Sequence, residues 1–213
     1  MKERIIQILN KYVPTEASPL LADWLIGYQC RLVVTGERHT KFGDYRAPYD
    51  GTGHTITINH NLNKYAFLIT LVHEFAHLSA YNFYQDKVSP HGKEWKLEFK
   101  RHMWFFLENS FFPDDVDTAL RGYMRNPAAS SCSDMTLMKV LKRYNPDAHL
   151  TKHLDEIPLN SIFRIPDGRI FQKGARVRKR YKCVEMSTRQ MYLISPLAEV
   201  EPIEGTGSKP ALP

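Results

Sequence analysis

Apolar residues recur at three- and four-residue intervals through most of the chain up to Pro146. Beyond it they fall in short extended pieces between turn residues. The first spacing is that of helices with one buried face, the second that of small strands. Residues 3–12 read as a short amphipathic helix. "SPLLADWLIGYQ" (18–29) reads as a second, with Ser18 as its N-cap before Pro19. "RLVVTG" is a strand candidate, and "HTITIN" (54–59) a stronger one, because β-branched residues dominate it and Gly51 and Gly53 precede it. Residues 62–84 hold a long helical pattern without Gly or Pro, in which Leu68, Leu71, Val72, Phe75 and Leu78 form a face to bury. "QDKVSPHG" interrupts it and "KEWKLEFKRHMWFFLE" resumes as helix. Residues 114–124 and 134–144 predict two shorter helices, the second capped by Ser133.

After Pro146 come "SIFRI", "RIFQK", "ARVRKRYKCVEM" and "RQMYLIS", strand-like pieces separated by PDG, KG and ST turns. A boundary near 150–160 follows, giving a first domain over 1–150, a small β module over 158–202 and a frayed tail over 203–213. Ile162, Phe163, Ile165, Ile170, Phe171, Tyr181, Met191, Tyr192, Leu193 and Ile194 are its candidate core. So small a module is marginal alone and is expected to dock on the first domain.

Composition narrows the classes. Hydrophobic residues make up 43% of the 213, enough for a core and too many for wholesale disorder. No apolar run reaches the length of a membrane span. The N-terminal "MKERIIQILNKYV" mixes charged and apolar residues and lacks the apolar region of a secretory signal. Cys30, Cys132 and Cys183 are far apart and form no CxxC pair, as expected for a reducing cytoplasm, and none sits in a nucleophile context. Of the 29 Lys/Arg and 23 Asp/Glu, nine and three lie in residues 161–200. That segment therefore carries the whole net charge of +6, and the rest of the chain balances. Read as one strand, "ARVRKRYKCV" projects Arg176, Arg178, Arg180 and Lys182 from a single face. DNA is the expected partner for such a row; a solubilising edge is the bland alternative.

The chemistry lies in "VHEFAHLSAY" (72–81). On a helix, His73 and His77 share a face one turn apart, so both imidazoles can hold one ion. Glu74 is rotated by about 100° and faces away from that ion's first sphere, where it can reach a water on the metal. This is the arrangement of zinc peptidases, with Glu74 as general base. A third ligand is needed, and His91, in "SPHGKEW", can fold back over the first helix, with Gly92 leaving room for close approach. His102 is about 16 Å further along the next helix, too far to share the ion. His54 and His60 read as loop residues flanking a strand, with lining a cleft as the alternative for either, and His39, His149 and His153 as surface. Tyr45, Tyr49, Tyr81 and Tyr84 are the loose candidates for stabilising an oxyanion, each with a structural role as the alternative.

"LITLVHEFAHLSAYNFYQDKVSPHGKEWKLEFKRHM" resembles the signature of SprT-like metallopeptidases: an HExxH helix, a loop, and a His-Gly opening the next helix with an aromatic soon after. "GERHTKFGDYRAP" and "GTGHTITINHNL" are similar to the paired strands ahead of that helix. The resemblance covers roughly residues 15–145. It implies an α+β, zincin-like domain with His73, His77 and His91 on Zn2+, Glu74 as base, and a protein or peptide substrate. The characterised relatives, the Spartan proteases, digest proteins crosslinked to DNA. Many bacterial relatives end in a zinc ribbon of two cysteine pairs, whereas this chain has Cys183 alone there, so its β module is metal-free. "HTITIN" is expected as the cleft rim to which an extended substrate adds. Two readings stand: a cytoplasmic zinc endopeptidase, acting on DNA-associated proteins, and a non-catalytic nucleic-acid-binding or adaptor protein that keeps zinc for structure.

Overall fold

The computed structural model describes residues 1–38, 40–128, 134–146 and 148–203. It divides into two compact units, Met1–Asn145 and the chain from Pro146 onward. Ser133, His39, Cys132 and the tail beyond residue 203 lie outside the described residues.

The first unit is mixed α+β. Its helices are α1 (Lys2–Leu9), α2 (Ser18–Gly27), α3 (Lys64–Tyr84), α4 (Lys93–Glu108), α5 (Asp114–Met124) and α6 (Met135–Lys142). Strands β1 (Arg31–Thr35), β2 (Gly43–Arg46) and β3 (Thr55–Asn59) form a sheet in the order β1-β3-β2, with β1 parallel and β2 antiparallel to β3. α3 is the axis of the unit. Asn63 caps it by accepting from the Tyr65 and Ala66 N–H groups, and its own amide donates to the Leu141 carbonyl at the end of α6. Phe67, Leu68, Leu71, Val72, Phe75 and Leu78 are fully buried, so α3 is covered on nearly every side by the sheet and by α4. That cover explains a helix apolar all round, not on one stripe.

The helix starts differ from the sequence pattern at α2 and α6. Ser18 lies inside α2 with its hydroxyl buried and without a hydrogen-bond partner among the described residues, while Ala17, ending a 3-10 turn, holds the cap position. Asp134 caps α6 by accepting from the Leu137 N–H.

β3 is the central strand, so the expectation that "HTITIN" forms the rim is corrected: a strand paired on both sides has no free edge to offer. It is also buried on both faces. Ile56 and Ile58 enter the core, and the loop before β2 closes over Thr57 and Asn59. Arg38 fastens that loop, donating to Asn59 Oδ1 at 2.8 Å and Thr57 Oγ1 at 2.9 Å, and the Asn59 amide returns bonds to the Arg38 and Lys41 carbonyls. β1 and β2 are the two edge strands, and β2 lies against α3.

The second unit is a six-stranded sheet of β4 (Lys152–His153), β5 (Ile162–Arg164), β6 (Ile170–Val177), β7 (Arg180–Glu185), β8 (Met191–Ile194) and β9 (Glu199–Pro202), in the order β4-β9-β5-β6-β7-β8. Phe163, Phe171, Tyr181, Cys183, Leu154, Ile157 and Val200 make its core. Met191 and Leu193 alternate to the outside and are 69% and 52% exposed, against the expectation that they are core. His153, expected at the surface, is 2% exposed with Nδ1 bonded to the Leu197 carbonyl.

The KG pair is not a turn. β6 runs through it with an irregularity between Lys173 and Arg176, and the chain reverses at Arg178 and Lys179, where Arg178 takes a left-handed φ of 54°. The four-cation strand face is therefore overturned. Arg176 faces Tyr181 across the hairpin, within 4.0 Å of Asp155, whereas Arg180 and Lys182 alternate with the buried Tyr181 and Cys183 and leave on the opposite side.

Candidate metal centre

Three imidazoles converge beside α3. His77 Nε2 lies 2.9 Å from His91 Nε2, which lies 3.3 Å from His73 Nε2. Two nitrogens each 2.0–2.1 Å from a tetrahedral ion stand about 3.3 Å apart, so the spacing suits such an ion with modest adjustment. A neutral Nε2 carries one proton or one lone pair, so His91 can make one good hydrogen bond to the other two rings, whereas a shared cation would use all three lone pairs. Among the described residues this is the one group of His, Cys, Asp and Glu with metal-site geometry. Glu74 is not part of it.

Each of the three histidines has a local cause. His73 and His77 come from successive turns of one buried helix. His91 comes from the break between helices, where a φ of 59° turns its ring back toward α3. Gly92 follows, and a Cβ there would stand 2.9 Å from the Ser89 carbonyl, so the tight reversal after His91 needs glycine. Burial holds His73 and His91 below the ordinary imidazole range, and His77 is lowered to about 4 by burial and by His91. All three are thus neutral near pH 7, with lone pairs free for a cation.

Trp95, 1% exposed on the first turn of α4, is the wedge behind the cluster. Its ring lies 4.6 Å from His73, 5.3 Å from His77 and 4.7 Å from His91, and Phe99 stacks on it at 5.0 Å while also packing edge-on against His73 at 5.4 Å. Beyond an aromatic close to the HG pair, nothing in the sequence pattern assigns it this contact.

Glu74 is 6% exposed. Burial, then the nearby Asp44, raises its carboxyl to about 8, against the pull of Arg38, Lys41 and a hydrogen bond from the Tyr45 backbone N–H. β2 supplies that donor, so it covers the carboxyl. The Tyr45 ring is parallel to His77 at 6.5 Å, and its hydroxyl bonds His54 Nδ1 at 2.9 Å. Tyr81 lies 6.3 Å from Tyr45 and 6.0 Å from His54. Of the four candidate tyrosines, Tyr45 and Tyr81 therefore stand near the cluster. Tyr49 is 82% exposed, and Tyr84 packs beside Phe83. Strand β2, with Gly43 and Tyr45, is the element that periodicity does not assign, although its residues lie in a stretch that carries the family resemblance.

His102 and Cys30 of the first unit are not part of the cluster. His102 packs on Trp24 at 4.8 Å with Nε2 3.8 Å from Glu98. Cys30 is buried, and burial pushes its thiol up to about 12; Cys183 is buried in the second unit and also raised. Neither is a nucleophile. At the β6–β7 tip, Arg178, Lys179, Arg180 and Lys182 are exposed and pair with no carboxylate among the described residues. No helix among them is long and apolar enough to cross a membrane.

Compared with known proteins, residues 28–109 match the model of the SprT-like family. No curated protein and no solved structure matches the chain.

Proposed function

We propose that this chain, whose residues 28–109 belong to the SprT-like family, is a zinc-dependent endopeptidase of zincin-like construction. The observation that carries this is the convergence of His73, His77 and His91 on one point, next to a buried glutamate that takes no part in the ligand set. Zinc held there would supply a Lewis acid and a water of lowered pKa. As a carboxylate, the form that a cation bound beside it would favour against the effect of burial, Glu74 would accept a proton and return it to the departing amine nitrogen. The Tyr45 N–H keeps the carboxylate in place, and Trp95 and Phe99 close the rear of the site against solvent. An extended peptide adds along β2, the strand that ends the sheet beside Glu74, so backbone is read more than side chains.

A metal kept only for structure has no use for a carboxyl buried at this position, and this weighs against the adaptor reading. A DNA partner belongs to the proposal through the exposed cations of the β6–β7 tip, and it is what would direct the peptidase to DNA-associated proteins. The test is Glu74→Gln. It should retain near-stoichiometric zinc and lose casein or peptide hydrolysis by about 10²-fold or more. Unchanged turnover removes Glu74 from the mechanism, and a zinc-loaded parent that cleaves nothing, with or without single-stranded DNA, returns the chain to the adaptor reading.

A further inference from the structure

Gly43 opens β2 in register with Ile58 and has an ordinary strand conformation, so no unusual backbone angle calls for glycine there. Space does. A Cβ on Gly43 would stand 2.5 Å from Glu74 Oε1, 2.9 Å from Glu74 Cγ and 2.7 Å from Thr70 Cγ2. We infer that Gly43 is a positioning residue of this site: its missing side chain lets β2 lie directly on the Glu74 carboxyl and fix where it points.

The neighbours decide what would yield if a methyl were added. Thr70 is 4% exposed and its hydroxyl donates to the Ala66 carbonyl at 2.8 Å, so its methyl has nowhere to turn. β2 is held by four paired residues on β3, and the loop before it is fastened by Arg38. Glu74 is the part with freedom, through its side-chain torsions. The methyl would push Oε1 aside and pull the carboxyl off the Tyr45 N–H. The three imidazoles come from α3 and the loop before α4, and none of them is among the three atoms that a Cβ on Gly43 would crowd. Its substitution therefore separates the proton-handling group from the metal ligands.

The activity arm of the test rests on the peptidase reading; the stability arm does not. With zinc, Gly43→Ala should bind metal as the parent does, keep KM within about threefold, and lose kcat by roughly 10²-fold, the scale of a 1 Å misplacement of a reacting group. Without zinc, Gly43→Ala should lower the urea midpoint of the full chain in the parent background, and leave it unchanged where Glu74→Ala and Thr70→Ser have already removed the three crowded atoms. A Gly43→Ala chain that folds only in the second background supports the inference equally. Turnover within threefold of the parent, or an equal midpoint loss in both backgrounds, overturns it. If the parent itself is inactive, the peptidase reading fails, and the midpoint comparison alone decides the role of Gly43.

Discussion

Replacing His91 tests the assembly of the metal centre most directly, because its Nε2 approaches both other ligand atoms, at 2.9 and 3.3 Å. His91→Ala leaves two imidazoles on one helix and an incomplete ligand set. Complete four-ligand zinc sites bind with apparent free energies of about 10–16 kcal/mol, so one ligand is worth roughly 3 kcal/mol, or about 10²-fold in Kd. The same figure should appear as lost protection against unfolding: at a fixed zinc concentration well above both Kd values, a 10²-fold weaker site forfeits about 2.7 kcal/mol of metal-linked stability. Chelator competition measures the first, and urea unfolding with and without zinc the second. Position 91 has a left-handed φ, so the metal-free midpoint reports whether the fold survives alanine there. His102→Ala is the matched control, since that ring packs on Trp24 and is not among the clustered imidazoles. A His91→Ala affinity within threefold of the parent, or an equal loss in His102→Ala, would refute the ligand assignment.

Two further outcomes follow from charges outside the cluster. Burial, then Arg101, lowers His102 to about 4 against the pull of Glu98; its contribution is therefore complete above its unfolded value near 6.5 and lost as pH falls from there toward 4. Urea unfolding of the metal-free protein over that window should show a limb shallower by up to about 3 kcal/mol in His102→Phe, and an identical limb would mean the ring is not buried neutral. At the β6–β7 tip, four exposed cations predict that log K for single-stranded DNA falls with log salt at a slope near −0.7 × 4, about −3. Replacing Arg178 and Arg180 with Ser should flatten the slope by roughly 1.4, while Arg176→Ser, on the other face beside Asp155, should leave it alone; a salt-independent interaction would return these residues to a solubilising role.

How far the sequence can be read depends on how local the cause is. The i, i+4 spacing of His73 and His77 is a property of one helix, so it shows without any tertiary information, as does the unbroken apolar pattern of α3. His91 shows because a loop and the Gly92 after it make a return plausible on length alone. The role of β2 does not show. Gly43–Arg46 has little β-branched character, and what makes it a strand is pairing with β3 and the space left above Glu74. Ser18 and the KG pair mislead for the opposite reason. Their local chemistry favours a cap and a turn, and tertiary context overrides both: a 3-10 turn precedes α2, and the β6–β7 hairpin reverses four residues later, at Arg178. With the reversal there, the alternation that puts four cations on one face fails, because Arg176 and Arg180 belong to different strands.

The three clustered histidines also differ in what holds them, and this bears on how the proposed centre would work. His73 and His77 ride on a helix buried on nearly every side, so their separation is fixed by α3 itself. His91 sits at a left-handed residue between a 3-10 turn, Gln85–Lys87, and the start of α4, and it is only partly buried. Strained non-glycine backbone of this kind persists where the surroundings over-determine it. Here the determinants are the Gly92 N–H bond to the Ser89 carbonyl and the Trp95 ring packed against His91, His73 and His77 alike. Trp95 is on α4 and so ties the position of the third ligand to the packing of α4 on α3. On the proposed reading, metal affinity depends on that helix pair as well as on the histidines, while the Glu74 carboxyl is held independently, by β2 from the other side.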